Sequence, residues 1–370
     1  MKLVADRESL HSAFQHVSGI ITSSITSPLY RHVKVDATED GVYVSATDLE
    51  VGLRIRAANV EVEDPGSFLV PADRVSSILK ATPDESVIFE DSDGAISLTS
   101  SDGRFRIVTE KAEDFAEIPD LPDDGVVEVD PEVLNYMVTR TVFSAAEEKG
   151  RYALNGILTL VDEEGTFEMV AADGARLASV KKKVANPDTA TIDAIVMKKG
   201  IREAARLGQL SDEPLCVRVT ENQFLAENSR GRLCCQLVEG QFPNYQEVIP
   251  RDCKLKAQLP TKILLNALRR AALVTSEQTR AVDFTFSGGA LVLSARSPDL
   301  GEAEIRLSIE YEGEETQIAF NPRYIEDMLQ IVEREEVKFE FNDSGSPCVL
   351  RSGLDYSYVV SPVVREEGTA

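Results

Sequence analysis

The chain has 370 residues, of which 39 are Lys or Arg and 63 are Asp or Glu, so its formal net charge at neutral pH is −24. A uniformly acidic surface repels phosphate, and this composition therefore argues against a protein that simply coats nucleic acid. The hydrophobic content of 43% with 28% charged residues is typical of a globular protein, and the length predicts two or three domains.

Targeting segments and cysteine sites are not indicated by the sequence. No apolar run approaches the roughly 20 residues of a membrane helix, and the first residues lack the apolar segment of a secretory signal. We therefore expect a cytoplasmic protein with no membrane partner. The five cysteines form no C-x-x-C pair, so we predict neither a disulfide framework nor a zinc site, and we expect no metal and no cofactor.

Six segments carry apolar residues at the i, i+3, i+4 spacing of an amphipathic helix. Two of them begin with a helix-capping residue followed by proline, Asp130-Pro131 and Asn321-Pro322. In chain order, the predicted helices occupy residues 6–18, 71–81, 130–145, 197–207, 260–275 and 321–334.

Between these helices the sequence alternates short apolar strands with Asp-Gly, Gly-Gly and Ser-Gly turns. The odd-numbered helices recur after about 125 residues, and so do the even-numbered ones. The sequence therefore predicts three α+β domains, each with two helices and antiparallel sheets. We place their boundaries near Pro122 and Arg251, which gives domains at 1–122, 123–251 and 252–370.

The charge is unevenly divided between helices and the rest of the chain. The six helix windows sum to +4, whereas the remaining residues carry −28. Lys198, Arg202 and Arg206 recur every four residues and share one helical face, with Lys199 beside them. Lys262, Arg269 and Arg270 form a looser cluster on the fifth helix. On a single helix, such a row of cations is explained by a face exposed to solvent. In repeated domains, however, equivalent helices can line one positive surface.

Catalytic motifs are missing from the sequence. There is no phosphate-binding loop, dinucleotide fingerprint or nucleophile elbow, and the three histidines are too few and too poorly spaced for a zinc site. Ser77-Ile78-Leu79-Lys80 matches S-x-x-K, but no companion motif accompanies it. An enzyme with an unrecognised site stays open as a less favoured alternative.

Five ordered motifs make the whole chain resemble the bacterial DNA polymerase III beta subunits, the sliding clamps. They are Arg151-Tyr152-Ala153-Leu154-Asn155-Gly156-Ile157, Ala171-Ala172-Asp173-Gly174-Ala175-Arg176-Leu177-Ala178, Phe242-Pro243-Asn244-Tyr245, Phe320-Asn321-Pro322-Arg323-Tyr324 and Tyr358-Val359-Val360-Ser361-Pro362-Val363. The resemblance implies three clamp domains per chain and a head-to-tail homodimeric ring, with helices inside and sheets outside.

The resemblance also implies a function without catalysis. The ring would encircle double-stranded DNA without reading its sequence, and would hold the replicative polymerase on it, in the cytoplasm at the nucleoid. Phosphate contacts suit this task because they carry no base information. The candidate DNA contacts are Lys149, Arg151, Tyr152, Lys198, Lys199, Arg202, Arg206, Arg269 and Arg270.

A second implied site is a pocket between the second and third domains for short peptides of the polymerase catalytic subunit, the clamp loader, and repair and translesion proteins. Leu154, Leu177, Val248 and Val360 would supply its apolar floor and Arg176 a polar group. The matching positions are Leu154, Ala172, Gly174, Ala175, Arg176, Leu177, Pro243, Glu247, Val248, Ser346, Val360, Ser361, Pro362 and Val363.

Several positions depart from the family pattern. Relatives often carry Thr, His and Arg where this chain has Ala172, Ala175 and Glu247, and Met near the C-terminus where it has Ser361-Pro362-Val363-Val364. Ser24 stands where relatives carry Arg in a DNA-contacting loop. Because Met suits promiscuous grooves, these changes should alter peptide preference. A divergent clamp paralogue or scaffold with altered or lost polymerase binding is therefore a further alternative.

Overall fold

The structure is a computed structural model that describes residues 1–21, 27–92, 94–147, 153–184, 190–276 and 281–363. Its chain forms two compact units. The first unit comprises residues 1–135, 184–192 and 199–237, and the second comprises 136–183, 193–198 and 238–370. Among the described residues, no helix has both the length and the apolar character needed to cross a membrane.

All six predicted helices are confirmed, and one short helix was not predicted. The short helix, α5, is a single turn that begins after the Phe242-Pro243 pair. The helices are α1 (Arg7–Ser18), α2 (Ala72–Ala81), α3 (Pro131–Thr141), α4 (Lys198–Gly208), α5 (Tyr245–Val248), α6 (Thr261–Ala272) and α7 (Pro322–Ile331). Two 3₁₀ turns cover Pro28–Arg31 and Val142–Ser144.

The helix starts follow from local capping. The Asp6 carboxylate accepts a hydrogen bond from the Ser9 backbone N–H at 2.8 Å, and the Asn321 side chain accepts one from Arg323 N–H at 3.1 Å. Each bond satisfies a backbone donor that the first turn of a helix leaves unpaired. Pro322 at the first helical position loses no hydrogen bond, as its sequence predicted.

The first unit contains a five-stranded sheet, in the order β5-β1-β7-β8-β9, and an eight-stranded sheet, in the order β10-β15-β16-β17-β4-β3-β2-β6. Their strands are β1 (Lys2–Asp6), β2 (His32–Thr38), β3 (Gly41–Thr47), β4 (Val51–Ala57), β5 (Val60–Asp64), β6 (Gly66–Pro71), β7 (Ser86–Ser92), β8 (Ala95–Thr99), β9 (Arg104–Val108), β10 (Val127–Val129), β15 (Leu215–Val219), β16 (Gln223–Asn228) and β17 (Gly231–Gln236).

The second unit repeats this plan with an eight-stranded sheet, in the order β14-β11-β12-β13-β25-β24-β23-β18, and a four-stranded sheet, in the order β21-β20-β19-β22. Their strands are β11 (Gly156–Val161), β12 (Thr166–Ala172), β13 (Arg176–Lys183), β14 (Ile192–Met197), β18 (Leu255–Pro260), β19 (Val282–Ser287), β20 (Ala290–Ser297), β21 (Gly301–Ser308), β22 (Thr316–Phe320), β23 (Glu336–Phe341), β24 (Cys348–Ser352) and β25 (Tyr356–Val360).

Every pair of neighbouring strands whose register the structure describes is antiparallel, which confirms the α+β class. Each eight-stranded sheet joins strands that the 125-residue repeat assigns to different domains. In the first unit β17 pairs with β4, and in the second β13 pairs with β25. Because shared sheets hold these strands together, the compact units do not follow the repeat, and the boundaries near 122 and 251 stay predictions.

The apolar faces predicted for the helices form the cores. In the first unit α1 buries Leu10, Phe14 and Val17 beside β3, β4 and α2. In the second unit α6 and α7 pack together, and buried phenylalanines of both sheets contact each other, such as Phe284 of β19 and Phe339 of β23. Burial of each such side chain stabilises the fold by about 1.5–3 kcal/mol. The opposite helix faces stay exposed, and they carry the cations of the first candidate site.

Candidate functional site

The two lysines at the start of α4 are both bound to carboxylates. Lys198 Nζ lies 2.5 Å from the Glu147 carboxylate, which is 86% exposed. Lys199 Nζ lies 2.5 Å from Asp48 Oδ2 and 2.6 Å from the Ile20 carbonyl oxygen. The Asp48 side chain is only 10% exposed, so the carboxylate bound by Lys199 is largely removed from water, whereas the carboxylate bound by Lys198 is open to it.

The two arginines of α4 are exposed. Arg206 Nη1 lies 2.7 Å from Glu203 Oε1, but the arginine side chain keeps 64% of its surface in solvent. Burial raises the pKa of the Glu203 carboxyl, while the charges of Arg206 and Lys199 act in the opposite sense. Arg202 is exposed and makes no ion pair within the described residues. The predicted cationic face of α4 therefore presents mainly its arginines.

The basic cluster on α6 is more open. Arg269 Nε lies 3.6 Å from a Glu326 carboxylate oxygen of α7, a loose pair with a half-exposed arginine. Arg270 is exposed and donates to the Asn266 carbonyl oxygen of its own helix, at 3.4 Å. Lys262 is exposed as well. These side chains have the surface position that a non-specific phosphate contact requires.

Other predicted DNA contacts fall outside the described residues. Lys149, Arg151 and Tyr152 lie in the segment 148–152, and Ser24 lies in the segment 22–26. Their roles stay predictions from the family resemblance.

Three of the residues predicted for the peptide pocket, Leu154, Ala172 and Leu177, come together in the second unit, around the paired ends of β13 and β25. Leu177 lies opposite Val359, and both belong to a buried apolar cluster that includes Ala172. Leu154 is partly buried and packs against the same cluster. The strand end therefore carries a compact apolar patch, which we call the β13–β25 groove.

A tight turn and the C-terminal segment shape the end of this groove. The Asp173 carboxylate accepts hydrogen bonds from the backbone N–H groups of Ala175 and Arg176, at 2.9 and 3.0 Å. Gly174 has φ = +94°, a conformation that a residue with a side chain rarely adopts. Ser361 N–H donates to the Ala175 carbonyl at 2.9 Å. The pairing of the two strands thus continues past their formal ends.

Strand alternation divides the predicted floor between two faces of the sheet. Arg176 lies opposite Val360, one residue from the Leu177–Val359 pair, so Arg176 and Val360 point to the other face. Val360 is completely buried there and is not part of the apolar cluster. The expected contribution of Val360 to the floor therefore belongs to its neighbour Val359.

Arg176, expected as a polar group for ligands, is instead an internal cross-link. Its guanidinium donates to Asp173 at 2.9 Å, to Asp327 of α7 at 2.6 Å and to the Phe143 carbonyl at 2.9 Å. It also lies 4.5 Å from the Tyr324 ring centroid. Burial is the largest single influence and opposes its charge, but the hydrogen bonds to Asp327 and Asp173 and the interaction with Tyr358 together outweigh it and raise the pKa of the guanidinium. Arg176 fixes the turn and α7 rather than offering free donors.

One side of the groove is formed by α5 and the residues before it. Val248 is 46% exposed, an unusual position for a valine, and Pro243 is partly buried. Glu247 is exposed and accepts a hydrogen bond from the Asn244 amide at 2.7 Å. The side chain that departs from the family pattern therefore places a negative charge beside an exposed apolar one.

The remaining predicted residues lie near the C-terminus of the unit. The Ser346 hydroxyl donates to Asp343 at 2.9 Å in a local turn, and Pro362 is partly buried. Val363 N–H donates to the Ala319 carbonyl at 2.7 Å, which anchors this segment to β22. Ser346 is thus held by its own turn, while residues 361–363 are held by the turn that precedes β13 and by β22.

Several residues of the β13–β25 groove were not predicted from the sequence. Tyr245 belongs to the apolar cluster and Phe242 packs against it, with their ring centroids 6.4 Å apart. Burial raises the pKa of Tyr245 to about 12. Both belong to the Phe242-Pro243-Asn244-Tyr245 motif, from which only the proline was chosen. Val359 was detectable from its parity with Leu177 once the strand pairing was known. No group of acidic, His or Cys side chains suited to a metal ion occurs in the part of the chain that the structure describes.

Comparison with known proteins covers nearly the whole chain. The N-terminal, central and C-terminal domains of the DNA polymerase III beta subunit match residues 1–119, 128–244 and 246–363. The beta sliding clamp of Vibrio cholerae is 30% identical over 366 residues, which cover 98% of this chain and 100% of the relative.

Solved structures show the same likeness. A DnaN sliding clamp from Pseudomonas aeruginosa bound to griselimycin has a TM-score of 0.93 at 29% identity and covers 99% of this chain and 100% of its own. The beta subunit of Thermotoga maritima has a TM-score of 0.91 at 28% identity, with coverage of 99% and 100%. The chain therefore belongs to the DNA polymerase III beta subunit family, the beta sliding clamps.

Proposed function

We propose that this sliding clamp closes as a head-to-tail homodimer around double-stranded DNA and holds the replicative polymerase there without catalysing a reaction. The acidic chain would keep DNA off its outer surface, while the exposed arginines of α4 and α6 contact phosphate. Phosphate contacts without base readout permit sliding. A cytoplasmic location at the nucleoid follows from this role.

The observation that carries the ring is a pair of unpaired edge strands. In the first unit β9 is the last strand of its sheet, and in the second unit β21 is. An open strand edge exposes backbone donors and acceptors that favour pairing with another chain. If β9 of each copy paired with β21 of the other copy, the dimer would have two such junctions and neither strand edge would stay open. This is the closure expected of a symmetric dimer.

The side chains of the two edges are complementary. Arg104 and Arg106 are exposed on β9, and Glu302 and Glu304 are exposed on β21. Phe105 of β9 borders an apolar groove with Ile78 of α2, whereas the second unit exposes 77% of Leu273 at the end of α6. Opposite charges flanking apolar groups favour one orientation of docking.

Solution mass and DNA topology test the ring together. The chain of 40.6 kDa should have twice that mass at micromolar concentration, and Leu273→Asp should reduce it to a monomer. Leu354→Asp, which adds the same charge at a fully exposed turn, serves as control. The loaded dimer should stay on circular DNA and leave linear DNA by its ends. A monomeric wild type, or equal retention on both DNAs, would contradict the ring.

We further propose that the β13–β25 groove binds short peptides of the polymerase, the clamp loader, and repair and translesion proteins. The supporting observations are that Leu154 and Phe242 pack, partly buried, against the apolar cluster, and that the neighbouring turn α5 exposes 46% of Val248. Val248→Asp should weaken binding of a fluorescent peptide from the polymerase catalytic subunit by about tenfold or more, since buried anchors dominate such interfaces. Gln246→Asp on the same turn is the matched control.

The alternative of a scaffold without polymerase binding is not favoured, because the family match extends over all three domains. It predicts no detectable binding of that peptide even at high protein concentration.

A further inference from the structure

The first unit contains the backbone of the β13–β25 groove a second time, 125 residues earlier. The Asp48 carboxylate accepts hydrogen bonds from the N–H groups of Glu50 and Val51, at 3.0 and 2.7 Å, as Asp173 does in the second unit. Leu49 has φ = +73° where Gly174 has φ = +94°. The same turn thus leads into both strands.

Strand pairing at the two places is equivalent residue by residue. Gly52 lies opposite Cys234 on β4 and β17, as Leu177 lies opposite Val359 on β13 and β25. The bond that extends the pairing is repeated as well, because Gln236 N–H donates to the Glu50 carbonyl at 2.9 Å. We call this place the β4–β17 groove.

The two grooves differ in what covers them. A Cβ atom added to Gly52 would lie 3.0 Å from Cγ1 and 3.5 Å from Cδ1 of Ile118. The Ile118 side chain therefore fills the space above Gly52. At the equivalent position of the second unit, this space is taken by the side chain of Leu177 and the surface around it. Because directly opposite residues share a face, Ile118 covers the Cys234 side as well.

Ile118 belongs to a linker, residues 115–120, that runs over the strands. Phe115 is buried at its start and lies against Tyr30, with ring centroids 5.7 Å apart. Between the linker and the strands lies a cavity of about 370 Å³ lined by polar side chains such as Lys34 and Arg54. The linker is therefore held by two apolar anchors and by an ion pair between Asp120 and Arg232 of β17, rather than by continuous packing, as a bound peptide is.

We propose that the β4–β17 groove is a second peptide site of the same kind, held closed by the chain's own Ile118. Its ligand class is a short peptide with an aliphatic anchor, represented here by the linker itself. Tethering keeps this internal ligand at an effective concentration of about millimolar, so that external peptides compete poorly. The proposal takes its ligand class from the function proposed for the β13–β25 groove.

Labelling of Cys234 tests the proposal in the full-length dimer. Cys234 is partly buried, and burial raises the pKa of its thiol, so N-ethylmaleimide should label it slowly. Ile118→Ala should speed its labelling by about fivefold or more, because access limits a covered thiol. Mass spectrometry separates Cys234 from Cys216, a partly buried thiol of the same unit whose rate should not change.

The ligand is tested with a synthetic peptide of residues 113–121 at about 1 mM, the range of the tethered linker. It should return the labelling of Cys234 in Ile118→Ala toward the wild-type rate, and the same peptide with Ala in place of Ile118 should not. Glu117→Ala is the control variant, since Glu117 is exposed beside Ile118.

An unchanged Cys234 rate in Ile118→Ala would overturn the closure, and a raised rate that the peptide does not lower would overturn the peptide site. Both readouts concern the first unit alone. Failure of the β13–β25 groove to bind polymerase peptide would appear separately, in the Val248→Asp comparison.

Discussion

Helices α4 and α6 look equally basic in the sequence, each with a net charge of +3, yet the structure uses their cations differently. On α4 both lysines and Arg206 contact carboxylates. On α6, among the residues that the structure describes, only Arg269 has a carboxylate within 4 Å, at 3.6 Å. Spacing places charges on one face of a helix, but the partners from distant strands and helices decide which of them remain available for phosphate.

Burial separates the ion pairs further. Lys198 and Glu147 meet at an exposed carboxylate, where a pair contributes about 0–1 kcal/mol and can exchange for a phosphate. Lys199 joins a carboxylate that is 10% exposed, together with a backbone carbonyl. Removing one partner of such a buried pair leaves the other without compensation. Lys199 was predicted as a DNA contact, but in the structure its ammonium group binds Asp48 and the Ile20 carbonyl inside the first unit.

The largest expected effect is the loss of stability when the ammonium group of Lys199 is removed. Lys199→Met should lower the free energy of unfolding by about 2 kcal/mol, because Asp48 and the Ile20 carbonyl lose a charged donor. Lys262→Met on α6 should change it by less than about 0.5 kcal/mol, since Lys262 is exposed. Urea denaturation of the two variants measures the difference. Equal losses would mean that the two helices use their lysines alike.

The next effect concerns DNA. Arg202→Ala combined with Arg270→Ala removes one exposed arginine from each helix, and each lost phosphate contact should reduce the salt dependence of retention on circular DNA by about 0.9 in the log–log slope. Lys199→Met should leave that slope unchanged because its ammonium group is bound internally. A larger loss of slope in Lys199→Met than in the double variant would reverse this assignment of roles.

Much of the fold could be predicted because it depends on local patterns. The Asp130-Pro131 and Asn321-Pro322 starts and the apolar faces of α1 and α6 are short-range signals, and each was found in the structure. The unpredicted α5 is a single turn, too short to produce a periodic signal. The 125-residue repeat was visible in the sequence because it spaces these local signals regularly.

The site was less predictable because it depends on distant pairings. Asp327 lies 151 residues from Arg176, and nothing local indicates that the two side chains meet. The choice of Val360 over Val359 likewise required the β13–β25 register, since a one-residue shift moves a side chain to the opposite face. Lys199 shows the same limit, because its partner Asp48 comes from another part of the repeat.

The smallest expected effect is on the pH dependence of stability, and it follows from Arg206 of α4, whose charge acts on His16 of α1. His16 of α1 is partly buried, and burial together with the charges of Arg206 and Arg230 lowers its pKa below the ordinary value of 6.5. The unfolded chain therefore binds this proton at a higher pH than the folded one, so stability should fall as the pH drops through 6.5 toward the folded-state pKa. His16→Gln should flatten that slope between about pH 7.5 and 5.5, measured by urea midpoints. A slope equal to that of the wild type would show that α4 and α1 are not coupled through this histidine.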